Sequence, residues 1–163
     1  MALTILYKGT MDAIPVLAEE GFTKSNAVSN ASITAAYGDK AYAPVGVLGG
    51  QVAALVPNTD YTVTAGTGAN VPVGLFVNDA AGAPFENSPA VASGKVTVIN
   101  NNAKVEVDLY ADDCIGAANV GAPLYSDANG FLTVTKGTDE TVIGIVTKAP
   151  LKAGDPLGLD MRI

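Results

Sequence analysis

The chain has no histidine, no tryptophan and a single cysteine, Cys114, among 163 residues. Without histidine, the commonest general base and zinc ligand is missing, and no ordinary side chain titrates near neutrality. One cysteine cannot form an internal disulfide, so no oxidising compartment is implied. As a nucleophile it would lack an imidazole to activate it, and a small buried apolar role suits it better. Charge is scarce as well, at 15% of residues, where soluble domains average about a quarter. The nine Lys and Arg residues are scattered, which argues against a surface that tracks phosphates and hence against nucleic acid as a partner. The first residues, 1–8, lack the basic region and long apolar core of a signal peptide. The most apolar stretch, 41–57, is broken by Pro44, Gly46, Gly49, Gly50 and Gln51, and is too short to span a bilayer. These absences point away from an enzyme, a cofactor and a membrane partner. The function is expected to rest on surfaces.

Hydrophobic residues make up 48% of the chain, with a mean hydropathy of +0.31. Much of this is Ala and Val, but together with the low charge it suggests surface covered by a partner, as in an oligomer or a lattice. The net charge of −7 reads as an aid to solubility.

Short runs of Val, Ile, Leu and Thr, punctuated by Gly, Asn and Pro, predict strands at 2–7, 60–65, 71–78, 95–100, 103–110, 123–126, 131–135, 141–148 and 156–163. Residues 104–109 form the cleanest period-two run, with Val105, Val107 and Leu109 on one face and the charged residues on the other. Asp127-Ala128-Asn129-Gly130 suits a type I turn closed by a left-handed glycine, and predicts a hairpin. Residues 11–20 could form a short helix, limited by Pro15. The expected fold is all-β: a small antiparallel barrel or sandwich over 45–163, preceded over 1–44 by a strand and an extended arm with at most one short helix. Period and turns do not decide between barrel and sandwich.

Several residue groups resemble chemical sites at first sight. Asp108, Asp112, Asp113 and Cys114 form the densest ligand-like cluster, since hard cations want converging oxygens. Adjacent aspartates after a strand more often occupy a solvated turn, and no metal site is assigned. Gly49-Gly50 and Gly66-Thr67-Gly68 lack the spacing and the Lys-Ser/Thr ending of a phosphate loop, so they read as turns. Glu19-Glu20 and Asp139-Glu140 are carboxylate neighbours in sequence, which point in different directions on any regular element. The Asp39-Lys40-Ala41 segment has the superficial look of a lipoylated lysine without the half-barrel that should precede it. Asn30-Ala31-Ser32 matches a glycosylation acceptor by chance.

The runs Gly121-Ala-Pro-Leu-Tyr-Ser-Asp-Ala-Asn-Gly-Phe-Leu-Thr, Ile143-Gly-Ile-Val-Thr-Lys-Ala and Gly154-Asp-Pro-Leu-Gly-Leu-Asp-Met, with Val73-Gly-Leu-Phe-Val77, resemble the head decoration (cement) proteins of tailed bacteriophages. The resemblance covers about 45–163. It implies a non-enzymatic virion protein, made in the bacterial host cytoplasm. Such a protein sits on the exterior of an icosahedral capsid, commonly as a trimer, and bridges major capsid subunits. Leu3, Ile5, Tyr7, Met11, Ile14, Val16 and Leu17 are then candidates for contacts to capsid or protomer; equally, they could cover this chain's own barrel. A fibre or tail component, or another β-rich surface module, is the competing class. A carboxylate-only enzyme around Asp108, Asp112 and Asp113, or a carrier modified at Lys40, would be the chemical ones.

Overall fold

The computed structural model describes residues 3–8, 14–18, 46–58, 62–66, 71–78, 80–81, 95–100, 103–137 and 141–163. They are almost wholly β: strands numbered here along the chain, and one turn of 3-10 helix at Asp112–Cys114. One sheet contains six strands. From edge to edge these are β1 (Leu3–Lys8), β9 (Ala103–Val107), β13 (Leu157–Met161), β12 (Gly144–Lys148), β10 (Pro123–Ser126) and β11 (Leu132–Thr133). All their pairings are antiparallel. A second group contains β2 (Ile14–Ala18), β5 (Thr62–Ala65), β4 (Val52–Leu55), β6 (Pro72–Phe76) and β8 (Lys95–Ile99), and its hydrogen bonding returns from β8 to β2. The ring closes through two parallel pairs, Leu17 with Thr62 and Ala18 with Val63. The remaining strands, β3 (Gly46–Val47) and β7 (Ala80–Ala81), pair with each other.

Period-two alternation decides how the halves stack. On β4, β6 and β8, one set of side chains, Ala53, Phe76 and Val98, packs with Val63 and Val47 as a small core. Their neighbours Val52, Leu75 and Ile99 belong to the larger core with Val105, Val107, Leu124, Leu132, Val146, Leu157 and Leu159 of the six-stranded sheet. The three strands are therefore covered on both sides, and the six-stranded sheet lies against them as the second layer of a sandwich. On β9 the predicted alternation holds, with Val105, Val107 and Leu109 buried and Lys104 and Asp108 exposed.

The predicted strands overlap strands of the structure at each of the nine places. Four others, β2, β3, β4 and β7, were not predicted. The short helix expected within 11–20 is, over Ile14–Ala18, a strand instead. Ile14 and Val16 are β-branched, and β8 offers four antiparallel partners, Ile14 with Val98 through Leu17 with Lys95. The part of the expected arm that is described is likewise built into the fold: β1 pairs with β9 and β2 with both β5 and β8. The rest of that segment lies outside the described residues.

A polar joint fastens the two halves. Gln51 is fully buried (0% exposed). Its Nε2 donates to the Asn129 carbonyl at 2.9 Å, and its Oε1 accepts from the Leu48 N–H at 2.7 Å. Beside it, the Val52 N–H donates to the Gly130 carbonyl at 2.8 Å, and the Gly66 N–H donates to the Val52 carbonyl at 2.6 Å. The Asp127–Gly130 turn between β10 and β11 thus seats on the start of β4. Its own shape is held by the Gly130 N–H on the Asp127 carbonyl and by Asp127 Oδ1, which accepts from the Asn129 and Phe131 N–H groups at 2.8 Å each. Gly130 has φ +79°, and a Cβ there would stand 3.0 Å from the Gly66 nitrogen. Left-handed conformation and close approach both require glycine.

Replacing Gln51 with Leu keeps the volume but strands the buried Leu48 N–H and the part-buried Asn129 carbonyl. A loss of ~2–4 kcal/mol is expected in urea denaturation. A change within experimental scatter would show that the joint contributes nothing.

Candidate functional site

The acidic cluster is the first place to seek chemistry, and its geometry is structural. The 3-10 turn at Asp112–Cys114 directs Asp113 towards the strand that follows the 127–130 hairpin. Asp113 Oδ2 accepts from Thr133 Oγ1, from Thr135 Oγ1 at 2.7 Å and from the Thr135 N–H at 3.2 Å. Partial burial alone would raise the carboxyl's pKa, but these hydrogen bonds outweigh it and hold it below the ordinary value of 3.8. Asp112 and Asp108 are exposed. Among the described residues, no three carboxylate or cysteine side chains converge as a cation would need.

Cys114 is fully buried in the larger core, where its Sγ lies 3.4 Å from the Leu132 carbonyl. Burial, then the neighbouring Asp113 carboxylate, push the thiol up to about 12. A thiol so raised holds almost no thiolate at neutral pH and is a poor nucleophile there. The expectation of a small buried apolar residue is met. Tyr110, in the same region, donates its hydroxyl to the Asp155 carbonyl at 2.6 Å. Its pKa is raised, first by burial and then by Asp155, and the hydrogen bond fastens the 149–155 loop to the end of β9.

Gly49 and Gly50 form a turn. Gly50, at φ +95°, donates its N–H to the Phe76 carbonyl at 2.8 Å, and a Cβ on Gly49 would meet the Val77 carbonyl at 3.0 Å. The Gly50 N–H is therefore spent within the fold and presents nothing to a phosphate. Gly66 is pressed against Val52 and Ser126; Thr67 and Gly68 lie outside the described residues. So do Glu19, Glu20, Asn30, Lys40, Asp139 and Glu140.

Of the candidate contact residues, Leu3 is half-buried and packs against the larger core. Ile5 and Tyr7 occupy β1 opposite Val105 and Lys104, and Ile14, Val16 and Leu17 occupy β2 opposite Val98, Val96 and Lys95. Met11 lies outside the described residues. The structure thus distributes these positions over both sheets. A different surface stands out: Leu151 (81% exposed) and Val120 (71% exposed) are large apolar side chains in solvent. Single exposed apolar residues are ordinary, but these two belong to adjoining loops. The Gly116 N–H donates to the Pro150 carbonyl at 3.1 Å and the Gly121 N–H to the Val146 carbonyl at 2.8 Å. Neither Val120 nor Leu151 could be singled out from sequence, because each sits in a turn with no period to assign it a face.

No helix among the described residues is long and apolar enough to cross a membrane.

Asp113 makes acid sensitivity testable. A lowered carboxyl contributes stability above the unfolded-state value near 3.8 and loses it as pH falls through the folded-state value. The stability difference between wild type and Asp113→Asn should shrink as urea melts are moved from neutral pH to below that range; a constant difference would remove the hydrogen-bonded carboxylate as its cause. For Cys114, iodoacetamide should leave the native thiol intact and label it in denaturant, as read by intact mass. Rapid native labelling would contradict its burial.

No protein-family model matches the chain, and no curated protein matches it.

Proposed function

We propose that the chain is a head decoration protein of a tailed phage. It binds the outer surface of the icosahedral capsid and stabilises the lattice by bridging major capsid subunits. It works without cofactor or catalysis, as a homo-oligomer with a trimer favoured. The observation that carries the reading is the clustering of the segments that resemble such proteins. Gly121 to Thr133, Ile143 to Ala149 and Gly154 to Met161 supply β10, β11, β12 and β13, which lie side by side in one sheet. Three of the four segments that carry the resemblance are thus contiguous in space, and the fourth, Val73 to Val77, belongs to β6 of the other group. The loops at 115–121 and 149–155, which carry Val120 and Leu151, border the same sheet.

The mechanism is multivalent clamping. Each copy buries a modest interface, and linkage among copies on a repeating shell raises avidity without a strong single contact. Apolar side chains on short, hydrogen-bonded loops suit this role, because little conformational entropy is lost when they are covered.

The deciding experiment is quantitative mass spectrometry of purified virions, or of induced particles if the source is a lysogen. A copy number comparable to the major capsid protein, or a simple fraction of it, is expected. A few copies per particle would indicate a fibre, vertex or tail part, and complete absence would overturn the reading. Val120→Asp and Leu151→Asp should weaken binding to undecorated heads at least about tenfold while leaving thermal melting unchanged. Undiminished binding by both variants would place the contact elsewhere. Removing the first twenty residues is a poor probe, since β1 and β2 are members of both halves of the fold.

A further inference from the structure

The turn that joins the two halves contains an asparagine followed by glycine, Asn129-Gly130, with Asn129 exposed. That pair is chemically labile because glycine has no side chain to hinder attack on the preceding amide. The Gly130 backbone nitrogen can bond to the Asn129 side-chain carbonyl carbon and expel ammonia, closing a succinimide ring. Water then opens the ring at either carbonyl, giving aspartate or the β-linked isoaspartate. Amide loss of this kind makes asparagine a thermolabile residue.

The folded turn opposes the first step. To attack, the Gly130 nitrogen must lose its proton, and that N–H is donated to the Asp127 carbonyl at 3.1 Å. Both flanking carbonyls are also engaged, the Asn129 carbonyl by Gln51 Nε2 and the Gly130 carbonyl by the Val52 N–H. Asp127 Oδ1 holds the Asn129 and Phe131 N–H groups. Bringing the Gly130 nitrogen against the Asn129 side-chain carbonyl carbon requires rotation of the backbone about Asn129, which these bonds oppose while the turn is seated on β4.

We propose that Asn129 is a site of succinimide-forming modification, gated by the docking of the 127–130 turn against Gln51 and Val52. Conversion to isoaspartate adds a methylene to the backbone and turns the carbonyl that Gln51 binds into a free carboxylate. The modified turn no longer matches its seat. Exposure to conditions that open the joint is thereby written into the chain as a covalent change that prevents its full re-closure.

The experiment follows amide loss by peptide mass spectrometry, with isoaspartate assayed by an isoaspartyl methyltransferase, in mildly alkaline buffer. Wild type in buffer, wild type unfolded in urea, and Gln51→Ala in buffer are compared. Native wild type should convert at least about tenfold more slowly than the unfolded chain, with Gln51→Ala between the two. The isoaspartate-containing fraction should melt at lower temperature than the unmodified protein. Equal rates in native and unfolded wild type, or no conversion in urea, would overturn the proposal. So would an isoaspartate product with an unchanged melting temperature. The wild-type comparison decides the gating even if Gln51→Ala does not fold.

Discussion

The seat of the 127–130 turn on β4 is the constraint from which the arrangement of the molecule follows. A buried glutamine must have its donor and its acceptor both satisfied, or its desolvation is uncompensated. Gln51 meets that demand by bonding back to Leu48 on its own loop and across to Asn129 on the other sheet. The contact is specific in a way that apolar packing is not. A slip of one residue would leave the amide's Nε2 unpaired and bring a side chain against the Gly66 backbone where Gly130 now lies. Directional bonds thus set the register between halves that hydrophobic burial merely presses together.

Around that joint, the packing explains an unusual pattern. Strands β4, β6 and β8 contribute to two cores at once, one between them and Val63 and one shared with the six-stranded sheet. Strand β4, covered on both faces, has no polar side to show, and its residues Val52-Ala-Ala-Leu55 are all small or branched and apolar. Close approach follows: a Cβ on Gly74 of β6 would fall 2.2 Å from the Ile99 carbonyl of β8. The outer face of the six-stranded sheet obeys the opposite rule. There Lys148 reaches Glu106 at 2.8 Å across β13, passing over Gly158, which supplies no side chain to block it. An exposed pair of this kind adds little stability, ~0–1 kcal/mol; the buried amide outranks it.

The titratable groups tell a consistent story. Asp113 is committed to threonine hydroxyls and a backbone N–H, Cys114 to the core, and the hydroxyl of Tyr110 to a loop carbonyl. Each fastens a loop to a strand. The chemistry-bearing side chains of this region serve the fold, which leaves exposed loop residues such as Val120 and Leu151 as the features that face outward without an evident intramolecular purpose.

Local pattern by itself determined the all-β character, the face of β9 that is buried and the 127–130 hairpin, because alternation and the Asp-x-Asn-Gly turn are encoded within a few residues. It also marked Cys114 as a small buried residue, since the chain has no histidine to activate it. Tertiary structure alone decided the rest. Strand β4 is buried on both sides and so carries no alternation to detect. Residues 11–20 read as a short helix limited by Pro15, whereas β8 supplies strand partners to Ile14 through Leu17. Gln51 read as an interruption of an apolar run, whereas its role depends on a carbonyl 78 residues away. Contacts of that span arise when separate segments meet in the folded chain, and no local period records them.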